Sequence, residues 1–320
     1  MPSRSTLRNF LRGVSVLSVF VLATLIFAQA QTPSPALLVL NKEDATLSII
    51  DPGTLKTVGL ISTGEGPHEI AVSENGKLAF VANYGTRTPR TTISVLDLAA
   101  QKELRRLDFG VLQRPHAIVF AGGKVWFTAE QNKLIARYDP ASNQVDWLRD
   151  NPVFSKEGSQ LFTSHIHPDS IMLLEQGSRT YSWAPEPGDF SPNGREYWTA
   201  NSTDGTLSII DVVTKKVTQI LDVPTKHANR LKFTDDGMVV LISDPGDNSL
   251  VIVDAPSRKE VKRLNIGSQP EGILIPPDGA RAYVAVAGEK TVAVLDLKTL
   301  EVTARISTGN GPDGMAWAQR

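Results

Sequence analysis

The chain lacks cysteine and shows almost no helical periodicity. With no cysteine among 320 residues, disulfide bonds, c-type haem attachment and cysteine-ligated metals are excluded, so stability must come from core packing. The sequence also lacks a Gly-Lys-Ser/Thr phosphate loop and a Gly-x-Ser-x-Gly nucleophile elbow, which leaves two common enzyme classes without support. The composition, 41% hydrophobic and 21% charged, is that of an ordinary globular protein.

The N-terminus has the pattern of a secretory signal peptide. Arg4, Arg8 and Arg12 precede an apolar run at 14–28, and small residues follow it, as a signal peptidase requires. We predict a signal peptide at 1–30 that is cleaved after Ala30, which would place the protein in the periplasm or outside the cell with no transmembrane span. An uncleaved membrane anchor is the alternative.

After this signal peptide we expect a short linker at 31–35 and a single domain at 36–320. The full chain has 33 Lys and Arg against 34 Asp and Glu, and three of the Arg lie in the first 30 residues. The mature chain therefore carries a net charge of −4, which does not indicate a basic nucleic-acid surface overall. We expect a monomer.

A pattern of strand, tight turn and strand recurs along the rest of the chain. The turn signals are SENG at 73–76, AGG at 121–123, SKEG at 155–158, SPNG at 191–194, TDDG at 234–237 and PPDG at 276–279. Each turn is followed by two strand-like runs, and a period of about 40 residues with four strands per unit is the signature of a β-propeller.

We predict an all-β, seven-bladed propeller of four-stranded antiparallel blades. The six turns supply six blades, and a seventh would pair one C-terminal strand, GMAWA, with three N-terminal strands. That pairing would close the ring and remove open sheet edges. The connectors around 144–194 are short, so we expect two shortened blades there.

The repeat resembles a known family. AFVANYG with TTISVLDL, YWTANSTDGTLSIIDVVTKKV and AYVAVAGEKTVAVLDLKTLEVTARISTGNGP are similar to the YVTN repeat of YncE-like propellers, within the WD40/YVTN repeat-like and cytochrome cd1 propeller-like superfamilies. The resemblance covers nearly all of the mature chain and implies the propeller fold. Function stays open, because this repeat serves unrelated roles. YncE-like proteins are linked to single-stranded DNA binding.

Five histidines map to one face of the predicted ring. In a propeller, the loops that enter the innermost strands share a face with the loops between second and third strands. Aligning the innermost strands gives a set of candidate ligand-binding residues at the channel mouth: His68, His116, Asn229, Arg230, Glu271 and Asp313. Loops on the same face add further candidates: Asn83, His165, His167, Asn201 and His227. A polar, water-lined channel with no ligand is the alternative interpretation.

Metal binding and catalysis are weaker interpretations of these residues. His68, His116, Glu271 and Asp313 are the candidates for a divalent metal, because imidazole and carboxylate are its usual ligands. No cofactor is otherwise expected, and no residue is assigned as catalytic.

Three functions follow. The first is an exported, non-enzymatic binding or scaffold protein that recognises a small ligand or a protein partner on the histidine face. The second is a lactonase- or isomerase-type enzyme at the channel mouth. The third, implied by the family resemblance alone, is single-stranded DNA binding, with a basic arc formed by Arg87, Arg90, Arg114, Lys226 and Arg230.

Overall fold

The computed structural model describes residues 32–150, 160–165, 170–175, 178–182, 188–201, 205–214 and 216–320. The predicted signal peptide therefore lies outside the described residues. Within them, no helix has the length and apolar character needed to cross a bilayer.

The described chain forms six four-stranded antiparallel blades. Blade 1 holds β1 (Ala36–Asn41), β2 (Thr46–Asp51), β3 (Lys56–Ser62) and the last strand, β27 (Pro312–Ala318). Blade 2 holds β4 (Pro67–Val72), β5 (Leu78–Gly85), β6 (Pro89–Asp97) and β7 (Lys102–Asp108). Blade 3 holds β8 (Pro115–Ala121), β9 (Lys124–Ala129), β10 (Leu134–Asp139) and β11 (Gln144–Asp150).

A three-stranded sheet follows blade 3 in the chain, and blades 4, 5 and 6 come after this sheet. The sheet contains β12 (Gln160–His165), β13 (Ser170–Glu175) and β14 (Ser178–Ser182). Blade 4 holds β15 (Gly188–Phe190), β16 (Glu196–Ala200), β17 (Thr206–Asp211) and β18 (Lys216–Asp222). Blade 5 holds β19 (Arg230–Phe233), β20 (Val239–Asp244), β21 (Ser249–Asp254) and β22 (Lys259–Asn265). Blade 6 holds β23 (Pro270–Leu274), β24 (Arg281–Val286), β25 (Thr291–Asp296) and β26 (Glu301–Ser307). Short 3₁₀ turns occur at Glu130–Asn132 and Ala287–Glu289.

The expected count of seven four-stranded blades is wrong, because the described residues form six, together with one three-stranded sheet. The reason is chain length between β11 and β12. Fifteen residues, 109–123, separate β7 from β9 and accommodate β8 with its loops, whereas nine residues, 151–159, separate β11 from β12. The shorter segment, 151–159, lies outside the described residues. Shortening also affects blade 4, whose inner strand β15 has three residues.

The two ends of the described chain meet in blade 1. β27 pairs with β1 in an antiparallel register in which Ala36 lies opposite Ala318 and Leu38 opposite Ala316. Hydrogen bonds from Arg320 to Ser34 and Thr32 continue this contact beyond the strands. The edge that β1 would otherwise expose is therefore covered.

Hydrophobic clusters lie between blades rather than within them. In one cluster, Leu38 and Ile49 of blade 1 pack with Val81 and Leu96 of blade 2. Equivalent clusters join blades 2 and 3, 4 and 5, 5 and 6, and 6 and 1. Because both faces of a middle strand are covered in this way, strands such as β21 are buried along almost their whole length and consist of continuous apolar residues.

Inner strands of neighbouring blades contact one another around the centre. β23 contacts β27, β27 contacts β4, and β4 contacts β8. Hairpin turns such as Ser73 to Gly76, where Gly76 has a φ of 64° and donates to the Ser73 carbonyl at 2.8 Å, connect each inner strand to the next strand outwards. The N-terminal ends of the inner strands therefore share one end of the central channel.

Candidate functional site: a histidine and carboxylate arc on the inner strands

Four predicted residues occupy the same position in four inner strands. His68, His116, Glu271 and Asp313 are each the second residue of a strand that begins with proline. Proline lacks an N–H group, so the first residue of a strand is one of the few positions in a sheet that tolerates it. The proline thus fixes where each inner strand begins, and the following side chain lies at the channel end. Asn229 directly precedes β19 and completes this arc of residues.

Two glycines let the inner strands approach closely. A Cβ atom on Gly314 would overlap the carbonyl oxygen of His68, and one on Gly272 would overlap the carbonyl oxygen of Asp313. Each glycine directly follows an arc residue. The backbone approach that they permit brings the Asp313 side chain to His68 on one side and, through β23, towards Glu271 on the other.

Asp313, His68 and His116 form one polar chain. His68 Nδ1 lies 2.7 Å from Asp313 Oδ2, and His68 Nε2 lies 2.8 Å from His116 Nε2. Two imidazole nitrogens at this distance must share a single proton, so one ring donates and the other accepts. Because an ionised carboxylate only accepts, the contact with Asp313 favours a proton on His68 Nδ1.

Two cations lie beside this chain. Lys42 Nζ donates to Asp313 Oδ2 at 3.2 Å, and its backbone N–H is held by the Gly311 carbonyl at 2.8 Å. The guanidinium of Arg230 donates to Glu69 Oε1 at 2.7 Å and to Asn229 Oδ1 at 2.9 Å. The same guanidinium lies 3.9 Å from Asp313 Oδ1, so the buried carboxylate has a cation near each oxygen.

Burial and these charges set the protonation states. Burial opposes ionisation of Asp313, but His68, Lys42 and Arg230 overcome it and hold the pKa of its carboxyl well below the usual range. Burial lowers the pKa of His116 well below its usual value, and the charges of His68, Arg230 and Lys42 lower it further. Asp313 is therefore ionised and His116 neutral at pH 7.

The pKa of the Glu271 carboxyl is raised, whereas that of the Asp313 carboxyl is lowered. Burial, followed by the negative charge of Asp313, raises the pKa of Glu271 to about 7, although Arg230 and Lys42 counteract the shift. Its Oε2 atom accepts a hydrogen bond from Asn229 Nδ2. The arc thus holds one carboxyl that is ionised and another that is half protonated near neutral pH.

An aromatic wall borders the two histidines. The ring of Tyr84 lies 5.3 Å from the ring of His68 and 5.3 Å from that of His116, measured between centroids. Its hydroxyl donates to Glu130 Oε1 at 2.9 Å, and the Arg114 guanidinium stacks over the ring at 4.5 Å. Tyr84 therefore restrains both imidazoles from one side.

Sequence analysis did not identify Lys42, Tyr84, Glu130 or Glu69 as site residues. Lys42, Tyr84 and Glu130 occupy one repeat position, the residue after Asn41, Asn83 and Ala129 near the end of a second strand. That shared position was a signal available in the sequence. Glu69 follows His68 in β4, and only the structure shows that it contacts Arg230 from a different blade.

Asn83 and Asn201 lie within blades, where hydrogen bonds hold their side chains. Asn83 Oδ1 accepts from the Gly64 backbone at 3.0 Å, and its Nδ2 donates to Thr92 and Ser94. Asn201 donates in the same way to Thr206 and Ser208. These amides tie the second strand of a blade to the third, and the structure does not bring them to the arc.

The remaining histidines lie apart from the arc or outside the described side chains. His227 is exposed, and its backbone N–H donates to Asp244 Oδ1 at 2.9 Å. His165 ends β12, but its side chain, like all of His167, lies outside the described residues. Among the described residues, no group of three or more His, Asp or Glu is arranged to hold a metal ion.

The proposed basic arc is largely neutralised by local acids. Arg90 pairs with Glu65, and Lys226 pairs with Asp247. Arg230 pairs with Glu69. These pairs reduce the positive potential that a nucleic-acid backbone would require.

Comparison with known proteins gives the fold. No family model matches the chain, and no curated protein matches it. A putative 6-phosphogluconolactonase of Bacteroides uniformis is 16% identical with a TM-score of 0.72, covering 89% of this chain and 99% of its own. The periplasmic gluconolactonase of Pseudomonas aeruginosa is 15% identical with a TM-score of 0.71 and the same coverage.

Hydrazine synthase of Kuenenia stuttgartiensis is also similar, with 18% identity, a TM-score of 0.66, and coverage of 78% of this chain and 88% of its own. The chain has the β-propeller fold. At these identities the likeness concerns architecture alone, and the YVTN-type assignment remains an expectation from the sequence.

Replacing Glu271 by glutamine should change how stability depends on pH. A carboxyl whose pKa rises on folding stabilises the fold below its unfolded pKa of 4.5, and that contribution is lost as pH rises through about 7. We therefore expect Glu271→Gln to be more stable than the wild type at pH 8, with a smaller difference at pH 5, in urea denaturation. Exposed Glu74 provides the control variant Glu74→Gln. An equal difference in stability between Glu271→Gln and the wild type at pH 5 and pH 8 would contradict the prediction.

Proposed function

We propose that the chain is an exported β-propeller that binds a small anionic ligand at the arc of His68, His116, Asp313, Lys42 and Arg230. The observation that carries the proposal is the convergence of two cations and His68, which in turn contacts His116, on the buried carboxylate of Asp313. Export is supported by the basic and then apolar residues of the N-terminus. This function agrees with the absence of a nucleophile motif from the sequence.

The exposure of the charged side chains supports an anion as the ligand. The side chain of Asp313 is 4% exposed, whereas that of Lys42 is 33% exposed and that of Arg230 is 22% exposed. Both cations are therefore more exposed than the carboxylate that they share, and Glu69, the other partner of Arg230, is 27% exposed. A carboxylate or phosphate ligand would meet N–H donors on this side.

The names of two similar structures suggest the first probes. Both are called lactonases of sugar acids, so D-gluconate, 6-phosphogluconate and citrate form a suitable anion series, with sorbitol as an uncharged polyol. We expect at least one anion to bind in isothermal titration calorimetry and sorbitol not to bind.

Arg230→Gln should weaken anion binding about tenfold or more, because a charge-assisted hydrogen bond contributes about 1.5–3 kcal/mol. Arg195→Gln, an exposed arginine near the Ser191 turn, is the matched control and should bind as the wild type does. If no anion binds, or if the two variants lose affinity equally, the proposal is wrong.

An enzyme that acts at the same site is the second candidate. The observation that favours it is the continuous chain of Asp313, His68 and His116, which resembles the carboxylate–imidazole arrangements that orient a general base. Single-stranded DNA binding has less support, because the basic arc is paired with acids. An oligonucleotide arm in the same calorimetry would reveal it as binding that weakens steeply with salt.

A further inference from the structure

We infer that Glu69 is an internal competitor for the anion and makes the arc select singly charged ligands. Its carboxylate holds the guanidinium of Arg230, and an anion that binds there takes the place of this carboxylate. The inference rests on the proposed function, because it states which anions the arc binds and how an acidic side chain of the protein limits them.

The contact between Glu69 and Arg230 crosses the end of the channel. Glu69 lies in β4 of blade 2, and Arg230 is the first residue of β19 in blade 5. Around the centre, β19 contacts β23, β23 contacts β27 and β27 contacts β4, so two inner strands lie between the two residues. Arg230 Nη2 nevertheless donates to Glu69 Oε1 at 2.7 Å. This bond joins side chains of distant blades, and it can open without breaking a backbone hydrogen bond of any sheet.

An anion that binds Arg230 through two donors meets Glu69 at Nη2. Both N–H groups of Nη1 are used, because they donate to the carbonyl oxygen of Asn229 at 3.0 Å and to its Oδ1 at 2.9 Å. Carboxylates and phosphates bind arginine best through two parallel N–H groups, and a pair that omits Nη1 must include Nη2. Since two carboxylates on one nitrogen repel each other, the anion displaces Glu69.

Glu69 is the carboxylate that can leave. The side chain of Asp313 is 4% exposed and is held by His68 and Lys42, whereas that of Glu69 is 27% exposed. Ion pairs that water reaches contribute little to stability, so opening the Glu69 contact lowers anion affinity by about fivefold or less. The anion therefore exchanges with Glu69 and not with Asp313.

The displaced carboxylate remains a neighbour of the bound anion and sets the preference for its charge. The backbone of Glu69 is fixed in β4, where it pairs with Ala82 of β5. The two cations, Lys42 and Arg230, are already balanced by the carboxylates of Asp313 and Glu69. Coulomb repulsion from Glu69 grows with the charge of the ligand, so each negative charge beyond the first weakens binding. The arc therefore favours anions with a single charge.

The experiment compares two sugar acids that differ in charge. D-gluconate carries one negative charge, and the phosphate of 6-phosphogluconate adds about two more. In isothermal titration calorimetry at pH 7.5 and constant ionic strength, Glu69→Gln should bind gluconate about fivefold more tightly than the wild type does. Its gain for 6-phosphogluconate should be larger by about threefold or more, because the repulsion acts on every charge.

Glu260 provides a matched control. Its Oε2 atom accepts from Arg263 Nη2 at 2.7 Å, and its side chain is 28% exposed. Charge, partner and exposure therefore match those of Glu69, but Glu260 lies in the outer strand β22. Glu260→Gln should bind both anions as the wild type does.

Thermal unfolding without any anion separates competition from a structural role. Glu69→Gln leaves Arg230 without its carboxylate partner, so it should unfold at a slightly lower temperature than the wild type while it binds anions more tightly. A purely structural role would weaken binding together with stability. If Glu69→Gln does not fold, Glu69→Asp is the second variant. It keeps the charge but is one methylene shorter, and it too should bind gluconate more tightly than the wild type.

The outcomes separate the inference from the proposed function. If the wild type binds an anion and neither Glu69 variant binds it more tightly, the internal competitor is overturned and the binding function stands. An equal gain for gluconate and 6-phosphogluconate overturns the selection of singly charged ligands. If neither the wild type nor Glu69→Gln binds any anion of the series, both the inference and the proposed function are wrong.

Discussion

Gly314→Ala is expected to destabilise the propeller by about 2 kcal/mol or more and to abolish anion binding at the arc. The added Cβ would overlap the backbone carbonyl of His68, and backbone cannot move aside as a flexible side chain can. Overpacking of this kind typically costs about 1–3 kcal/mol. Because β27 and β4 would separate, the 2.7 Å contact between Asp313 and His68 would be lost. Urea denaturation and calorimetric titration with the best anion measure the two effects.

Two further glycine variants make the test specific. Gly272→Ala places a Cβ against the carbonyl of Asp313 and should have a similar effect through β23. Gly59→Ala, in the outer strand β3, meets the end of the Gln101 side chain, which can rotate away, so stability and binding should change little. If Gly314→Ala and Gly59→Ala behaved alike, close packing of the inner strands would not be what forms the site.

The repeat pattern predicted the architecture well because each blade obeys local rules. Glycine turns such as Gly76 and buried middle strands such as β21 follow from residues near in sequence. The pairing of β27 with β1 follows from the strands that the repeat leaves over at the two ends of the chain. The blade count was wrong next to residues 151–159, where nine residues separate β11 from β12, whereas the fifteen residues 109–123 separate β7 from β9 and contain the inner strand β8.

The site could be predicted only where it follows the repeat. Aligning the inner strands placed His68, His116, Glu271 and Asp313 at one end of the channel. The contacts that give these residues their chemistry cross blades, as when Lys42 of blade 1 and Arg230 of blade 5 approach Asp313. Sequence separation of 271 residues between Lys42 and Asp313 carries no local signal. The repeat also suggested Asn83 as a site residue, but its amide forms hydrogen bonds to Thr92 and Ser94 of its own blade and does not reach the arc.

Asp313 is the residue on which the arc depends most, because it is the buried carboxylate that the two cations and His68 share. Asp313→Asn should cost about 3–5 kcal/mol at pH 7, the usual cost of removing one partner from a buried ion pair. The variant retains the shape of the side chain but leaves Lys42 and Arg230 facing each other without the intervening negative charge. Part of the anion binding should remain, since the cations remain, but His68 would lose its carboxylate partner.

The pH dependence distinguishes this charge effect from a loss of packing. Since folding lowers the pKa of Asp313, its stabilising contribution is fully present above the unfolded pKa of 3.8 and is lost as pH falls towards the folded value. The stability gap between wild type and Asp313→Asn should therefore narrow below about pH 4. Both proteins are compared in a Glu271→Gln background, because Asp313 also raises the pKa of Glu271 to about 7. Asp254→Asn, at a turn where the carboxylate accepts from Ser257, is the control and should change stability little, because the asparagine side-chain oxygen accepts the same hydrogen bond. A gap that stayed constant down to pH 3 would show that Asp313 acts through packing alone, and the electrostatic account of the arc would then be wrong.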